Sequence, residues 1–319
     1  MLTFTSARRR PLNVLKRHSE KQASRMGGFF SLKTMTKITK LTLDKIIIAG
    51  PCAAETREQV IKSAKEAKKR GVKILRASLW KPRTEPGFEG VKEKGIEWLV
   101  EVAKMGLTPG TEVLNARNTK AVLSALAKNV ENPTALIWIG ARNQNHDEQV
   151  AIAKVVKKYP WARFMFKNQP WRHERHWRGI LKHVLSSKIG KDKIFLSHRG
   201  FDPGTDEPRD PKELRNFPDY KMAMKIKTEE DVEMIIDPSH MGGTVENVIR
   251  ITKEAMRHKE AGVSFDGFIF EIHPNPTVAW TDAKQQLTWE QFDELMEEYH
   301  DLHKEPVKKS KSAQTQASF

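Results

Sequence analysis

Residues 45–80 read KIIIAGPCAAETREQVIKSAKEAKKRGVKILRASLW. A short apolar run, KIIIAG (45–50), is followed by a longer charge-laced segment, REQVIKSAKEAKKRG (57–71), with apolar residues at helical spacing, and then by KILRASLW (73–80). A buried strand, an amphipathic helix and a second buried strand make a β-α-β unit, whose strands lie parallel. The alternation continues outward from this unit. Further strand candidates are TPGTEVL (108–114), ALIWIGAR (135–142), RFMFKN (163–168), KIFLSHRG (193–200), VEMIIDP (232–238) and FDGFIFEIH (265–273). Amphipathic helix candidates lie between and after them, at 94–106, 118–129, 147–159, 174–187, 244–262 and 288–303. Only 201–230 is less regular, with the turn-rich FDPGTDEPRDP ahead of a weak helical pattern. Eight strands with intervening helices over roughly 260 residues fit an α/β fold of the (β/α)8 TIM-barrel class. A doubly wound open sheet ranks second, because no G-x-G-x-x-G follows the first strand and no Walker A run occurs.

Composition bounds the function classes. No apolar run approaches the roughly 18 residues that a membrane span needs, so no transmembrane helix is expected. The single cysteine, Cys52, excludes an internal disulfide framework and suits a reducing compartment, so a cytoplasmic location is expected. The net charge of +16 calls for nucleic acid, a membrane surface or anionic substrates. Much of it lies at the ends. Residues 1–43 hold Glu20 as their only acid among many arginines, lysines and serines. They read as a disordered basic extension, as a leader ahead of a start at Met26 or Met35, or as an organellar presequence that would redirect the chain. Residues 305–319 read as a disordered basic tail, which leaves 44–304 as the barrel.

In such a barrel the chemistry gathers where the strands end, on the C-terminal face. The strand candidates end in Cys52, in Lys81 with Arg83 and Thr84, in Glu112, Arg142 and Lys167, in His198 with Arg199, in Asp237 with His240, and in Glu271 with His273. Cys52, His240 and Glu271, taken with Asp282, would offer one thiolate, one imidazole and two carboxylates. That set suits a borderline divalent ion such as Mn, Fe, Co or Zn, which can polarise a carbonyl oxygen. Residue type alone favours a buried structural thiol and a hydrogen-bonding histidine at these places; shared position is what groups them.

Lys81, Arg83, Arg142, Lys167 and Arg199 would bring five cations to the same mouth. Such a ring repels itself unless anions neutralise it, and two phosphates, or a phosphate and a carboxylate, would do so. The Thr84 hydroxyl could add a hydrogen bond to a phosphate oxygen. QPWRHERHWRG (169–179) sets two histidines at i, i+3, but it lacks the zinc-protease pattern. It reads as a helix entry flanking the site, or else as a basic aromatic surface for nucleic acid. No G-x-S-x-G run is present, and no helper histidine for Cys52 can be identified.

GPCAAE, WKPRTEPGFEG, TEV, WIGAR, KN, HRGF, DPSHMGG and FDGFIFEIHPNP, followed by TDAKQQLT, resemble in the same order the motifs of the type I 3-deoxy-D-arabino-heptulosonate 7-phosphate (DAHP) synthases. The resemblance runs from about Lys45 to about Tyr299 and is closest to compact, unregulated barrels of that family. It implies condensation of phosphoenolpyruvate with erythrose 4-phosphate, the first step of the shikimate pathway to aromatic amino acids. The family's metal ligands would fall on Cys52, His240, Glu271 and Asp282. Its phosphoenolpyruvate ligands would fall on Arg142, Lys167 and Arg199, with Lys81 beside the reacting carbons, and Arg83 and Thr84 would hold the sugar phosphate. Lys81 or His273 would handle a proton.

This chain departs from the pattern at Ala53, at Asn143 and Gln144, where the family commonly has a threonine pair, and in the acidic, proline-rich segment 202–211. A sister barrel, 3-deoxy-octulosonate 8-phosphate synthase, uses arabinose 5-phosphate, but KPRTEPGFEG favours the four-carbon aldehyde. A catalytically inactive basic barrel that binds RNA or another polyanion is the non-enzyme alternative. Small-molecule substrates and a homo-oligomer are expected, with no nucleic-acid or membrane partner. The stretch before the first strand is too short and polar for a regulatory domain of ordinary size, so insensitivity to aromatic amino acids is expected.

Overall fold

The computed structural model describes residues 45–82, 87–204, 210 and 212–303. Eight parallel strands close into a barrel in chain order: β1 Ile46–Gly50, β2 Ile74–Arg76, β3 Thr108–Glu112, β4 Ala135–Ile139, β5 Ala162–Lys167, β6 Ile194–His198, β7 Glu233–Ile236 and β8 Gly267–Glu271. β1 and β8 close the ring with Ile46 opposite Gly267 and Gly50 opposite Glu271. The helices that follow β1 to β6 are α1 Arg57–Lys69, α2 Ile96–Lys104, α3 Ala116–Asn129, α4 His146–Lys157, α5 Glu174–Ser186 and α6 Tyr220–Glu230. After β7 come a single turn, α7 Pro238–Gly242, and α8 Val245–Arg257; α9 Trp289–His303 follows β8. The (β/α)8 expectation is met. Among the described residues no helix is long and apolar enough to cross a membrane. The expectations for residues 1–43 and 305–319 lie outside the described residues.

Two apolar layers hold the ring together. Inside it, Ile48, Leu136, Trp138, Met165, Phe195, Ile235 and Ile269 fill the bore. Outside it, the alternate strand residues meet the buried helix faces in one continuous core. Burying each such side chain contributes about 1.5–3 kcal/mol, which is what turns the sequence alternation into layers. Trp138 needs a small residue on the neighbouring strand β3: a Cβ on Gly110 would stand 3.0 Å from its ring.

KILRASLW forms less strand than its composition suggests. β2 ends at Arg76, but residues 77–80 stay tied to the neighbouring strand ends: the Ala77 N–H donates to the Gly110 carbonyl at 2.9 Å, the Ser78 carbonyl accepts the Ala54 N–H at 2.9 Å, and the Leu79 N–H donates to Thr111 Oγ1 at 2.9 Å. This path carries Lys81 to the C-terminal mouth. In the irregular segment 201–230, Asp219 caps α6 by accepting the Met222 N–H.

Candidate active site

The C-terminal mouth opens into a cavity of about 660 Å³, whose wall includes Lys81, Arg142, Lys167, Arg199, Arg215, His240 and Asp282. At its floor the donor atoms of Cys52, Glu271 and Asp282 lie within 4.8 Å of one another. Cys52 Sγ is 3.1 Å from Asp282 Oδ2, and Lys81 Nζ is 3.0 Å from the same sulfur. His240 Nε2 stands 3.9 Å from Glu271 Oε1. The four expected ligands therefore meet in one place, three tightly and the histidine beside them.

Local sequence explains how each arrives. Gly50 begins the cysteine loop at φ +148, and a Cβ there would stand 2.4 Å from the Arg76 carbonyl, so GPC needs its glycine for the chain to pass β2. In DPSH, Asp237 caps α7 by accepting the His240 N–H, and Pro238 occupies the first turn, where no N–H is required. Ser239 Oγ accepts the Glu271 N–H at 2.9 Å. Asp282 takes the left-handed conformation, φ +47, which aspartate tolerates better than most residues.

Hydrogen bonds fix the orientation of these groups. Asp237 is an acceptor 2.9–3.0 Å from His240 Nδ1, so that nitrogen carries the proton and Nε2 keeps its lone pair toward Glu271. A carboxylate behind a ligating histidine is the usual outer support of a metal site. Asp237 also accepts from Lys167 Nζ at 2.6 Å, joining His240 to a pocket cation. Burial works against its ionisation, yet His240 and Lys167 hold its carboxyl well below the usual range.

Arg76, which the sequence reading did not single out, lies beneath the floor. It is fully buried, and its Nη2 donates to Glu271 Oε1 at 2.9 Å and to the Cys52 carbonyl at 3.2 Å. Its guanidinium sits over the Trp138 ring, 5.4 Å from the centroid. Two adjacent amides complete the support. Arg215 Nη1 donates to Gln285 Oε1 at 2.8 Å, which points Gln285 Nε2 at Glu271 Oε2, 2.6 Å away. Gln286 accepts the Cys52 N–H and donates to the Thr281 carbonyl. The one available sequence signal for Arg76 was a charge within an otherwise apolar strand.

The electrostatics suit a cation. Burial, then the Glu271 charge, pushes the Cys52 thiol upward. Glu271 and Asp282 stay ionised against their burial, Glu271 chiefly through Arg76 and Asp282 chiefly through Lys81. Lys81 is raised despite its own burial, by Cys52 when that is ionised and by the carboxylates of Glu112, Glu271 and Asp282, so it holds its proton. A divalent ion suits this donor set, because it would neutralise the two carboxylates and take the thiolate in place of its proton.

Arg142 is exposed on the cavity wall, whereas Lys167 and Arg199 are buried within it. Burial pulls Arg199 down to about 10; Asp237 opposes this, while Arg215 and Arg142 push the same way. These cations therefore crowd one another, as anion binding requires. Arg83 and Thr84 lie outside the described residues.

His273 is placed differently from the other strand-end candidates. Its Nδ1 accepts the Asn275 N–H at 3.0 Å, its Nε2 faces buried Glu55 at 3.4 Å, and it is not among the cavity-lining residues. His198 is also turned away. Its Nε2 accepts the Asp219 N–H, and burial lowers its pKa to about 3, which keeps it neutral.

The model of the DAHP synthetase I family matches residues 31–305. A phospho-2-dehydro-3-deoxyheptonate aldolase of Thermotoga maritima is 34% identical over 262 residues, covering 80% of this chain and 69% of that protein. A crystal structure of a Thermotoga maritima DAHP synthase superposes with a TM-score of 0.66 at 31% identity, covering 81% of this chain and 68% of that one. A truncated form of the Thermotoga maritima synthase gives 0.63 at 30% identity, covering 81% and 86%.

Proposed function

The chain belongs to the DAHP synthetase I family, and from that premise we propose that it condenses phosphoenolpyruvate with erythrose 4-phosphate, yielding DAHP and inorganic phosphate. The observation that carries this reading is the convergence of Cys52, Glu271 and Asp282 beside His240 and Lys81, beneath a mouth of cations. In this reading Cys52, His240, Glu271 and Asp282 hold a divalent ion of the Mn, Fe, Co or Zn type, which supplies Lewis acidity toward the aldehyde oxygen.

The chain's own groups do the rest. Arg142, Lys167 and Arg199 hold the phosphate and carboxylate of phosphoenolpyruvate, so that its C3 faces the aldehyde carbon and the encounter becomes intramolecular. As the carbon–carbon bond forms, negative charge develops on the aldehyde oxygen. Lys81, which burial fails to deprotonate, is placed to give that oxygen a proton. Water then adds at C2 and gives up a proton, which restores Lys81. The new C2 hydroxyl passes its proton to the departing phosphate as the bond from C2 to the phosphate oxygen breaks, leaving a ketone at C2 and free inorganic phosphate. Lys81 is preferred to His273 for the proton because Lys81 lines the cavity and His273 does not. Arg83 and Thr84 are assigned to the sugar phosphate from KPRT alone. Residues 44–304 would form the catalytic unit.

Product analysis tests the substrate assignment. The Mn-loaded chain, offered phosphoenolpyruvate with erythrose 4-phosphate or arabinose 5-phosphate, is expected to make product from the four-carbon sugar. Preference for the five-carbon sugar would transfer the reading to the sister synthase. Turnover of neither sugar by a folded, metal-loaded chain would defeat both.

A further inference from the structure

A group of histidines outside the cavity is used neither by the core nor by the proposed reaction. His146 opens α4, while His176 and His183 lie two turns apart on one face of α5. The His146 ring is 4.2 Å from that of His183 and 5.6 Å from that of His176, centroid to centroid, with both pairs tilted rather than stacked. His146 and His176 are half-buried and His183 is exposed, so none of the three fills the core.

Trp171 packs on His176, 5.0 Å between ring centroids, but no counter-charge accounts for bringing His146 and His183 together. Among the described residues none of the three makes an ion pair with a carboxylate, so the cluster is not a set of charged histidines with counter-ions. Protonating His146 and His183 together would place two positive charges side by side. Burial, then the charge on His183, lowers the pKa of His146; burial, then His146, lowers that of His176. Both shifts favour the neutral imidazole of His146 and of His176, the form that binds metal.

We propose that His146 and His183 form a second metal site, separate from the one at the barrel mouth, which takes a borderline divalent cation of the Zn, Ni or Cu(II) type. Imidazole suits these ions, whereas Mg and Ca prefer oxygen. Metal–nitrogen bonds of ~2.0–2.1 Å in a tetrahedral site put the centroids of two bound imidazoles roughly 5 Å apart, so the rings, now 4.2 Å apart, must separate by about 1 Å, which the exposed position of His183 allows. Water completes the coordination. Asp147 and Glu148 in the first turn of α4 offset the helix N-terminus, which would otherwise disfavour a cation there.

His176 adds a constraint on one side. Gln144 Nε2 donates to the Ala141 carbonyl, so Gln144 Oε1 faces His176 Nε2 at 3.2 Å and accepts its proton. The Nδ1 lone pair of His176 is left for a ligand. His173 is committed elsewhere, since its Nδ1 accepts the His176 N–H as the cap of α5. An ion at this site ties the start of α4, four residues after Arg142, to the last turn of α5.

The test is a Zn count on the full, untagged chain by equilibrium dialysis and elemental analysis, comparing the wild type with His146→Ala and His183→Ala. The wild type is expected to hold one Zn ion more per chain than either variant. Phosphate release by the Mn-loaded variants is expected to match the wild type. Added Zn should raise the thermal midpoint of the wild type more than that of the variants, because the second site adds its own linkage. His183 is exposed, so its replacement leaves the fold intact. An equal Zn count in the wild type and either variant overturns the proposal.

Discussion

Replacing Arg76 with Met removes one partner of a buried ion pair. Arg76 Nη2 and Glu271 Oε1 are 2.9 Å apart, with side chains 1% and 0% exposed. Leaving such a charge unpaired costs about 3–5 kcal/mol, a large part of the ~5–15 kcal/mol that holds a typical domain folded. Gln285 still donates to the other oxygen of Glu271 and His240 stands nearby, so the lower end of that range is expected. A cation held by Cys52, Glu271 and Asp282 would compensate the stranded carboxylate, and the loss should shrink when Mn is present. The pH dependence follows from the same pair. Burial opposes ionisation of Glu271, but Arg76 and then His240 hold its pKa below the usual value. A depressed folded-state pKa contributes stability above the unfolded value of about 4.3, and that contribution is lost as pH falls through the folded value. The penalty of Arg76→Met is therefore full at neutral pH and fades as Glu271 protonates. Urea denaturation followed by tryptophan fluorescence, in chelator and in saturating Mn, measures it. A loss below ~1 kcal/mol in chelator, within the range of ordinary surface changes, or an equal loss with and without Mn, would refute the reasoning.

Three further outcomes are expected. Lys81→Met should reduce turnover by about 10²–10⁴-fold, the usual contribution of a proton-transferring group, with circular dichroism unchanged; near-normal turnover removes Lys81 from the chemistry. Gln285→Met removes a neutral donor from Glu271 and should weaken Mn binding by ~10–100-fold, as loss of an outer support does, read by electron paramagnetic resonance of free Mn. An affinity within twofold of wild type would show that Gln285 does not orient the ligand. Burial and Glu271 keep the Cys52 thiol protonated in the metal-free chain, so metal binding at neutral pH should release about one proton per ion. Calorimetry in buffers of different ionisation enthalpy counts it, and no release would mean that the thiol is not displaced.

The fold was legible because each β-α unit carries its own signal. Strands buried on both faces read as apolar runs, and helices with one wet face read as periodic ones, so the pattern needed no knowledge of distant contacts. The first layer of the site was legible for a related reason. Parallel strands all end on one face, which turned Cys52, His240, Glu271 and the cations into a group by position alone. The second layer was not. Arg76 and Glu271 are 195 positions apart, and a three-residue strand is too short for its alternation to show that Arg76 faces inward. Asp237 was visible at a strand end, but not its hydrogen bonds with both His240 and Lys167. Gln285 and Gln286 carry no charge, and their roles come from the Arg215 guanidinium and the Cys52 N–H that set their orientations. His273 shows the limit of position as a guide: it follows β8 by two residues, yet the turn through Asn275 points its ring at Glu55.

The central claim is that four side chains from separate strand ends and loops make a metal-dependent site for joining phosphoenolpyruvate to an aldehyde. Phosphate release from phosphoenolpyruvate with erythrose 4-phosphate, measured before chelation, after chelation and after Mn is returned, tests it most directly. Activity that disappears with chelator and returns with Mn in the wild type, but never appears in Cys52→Ala, is the predicted result. Full activity in the chelated chain, or in the folded Cys52→Ala variant, would contradict it.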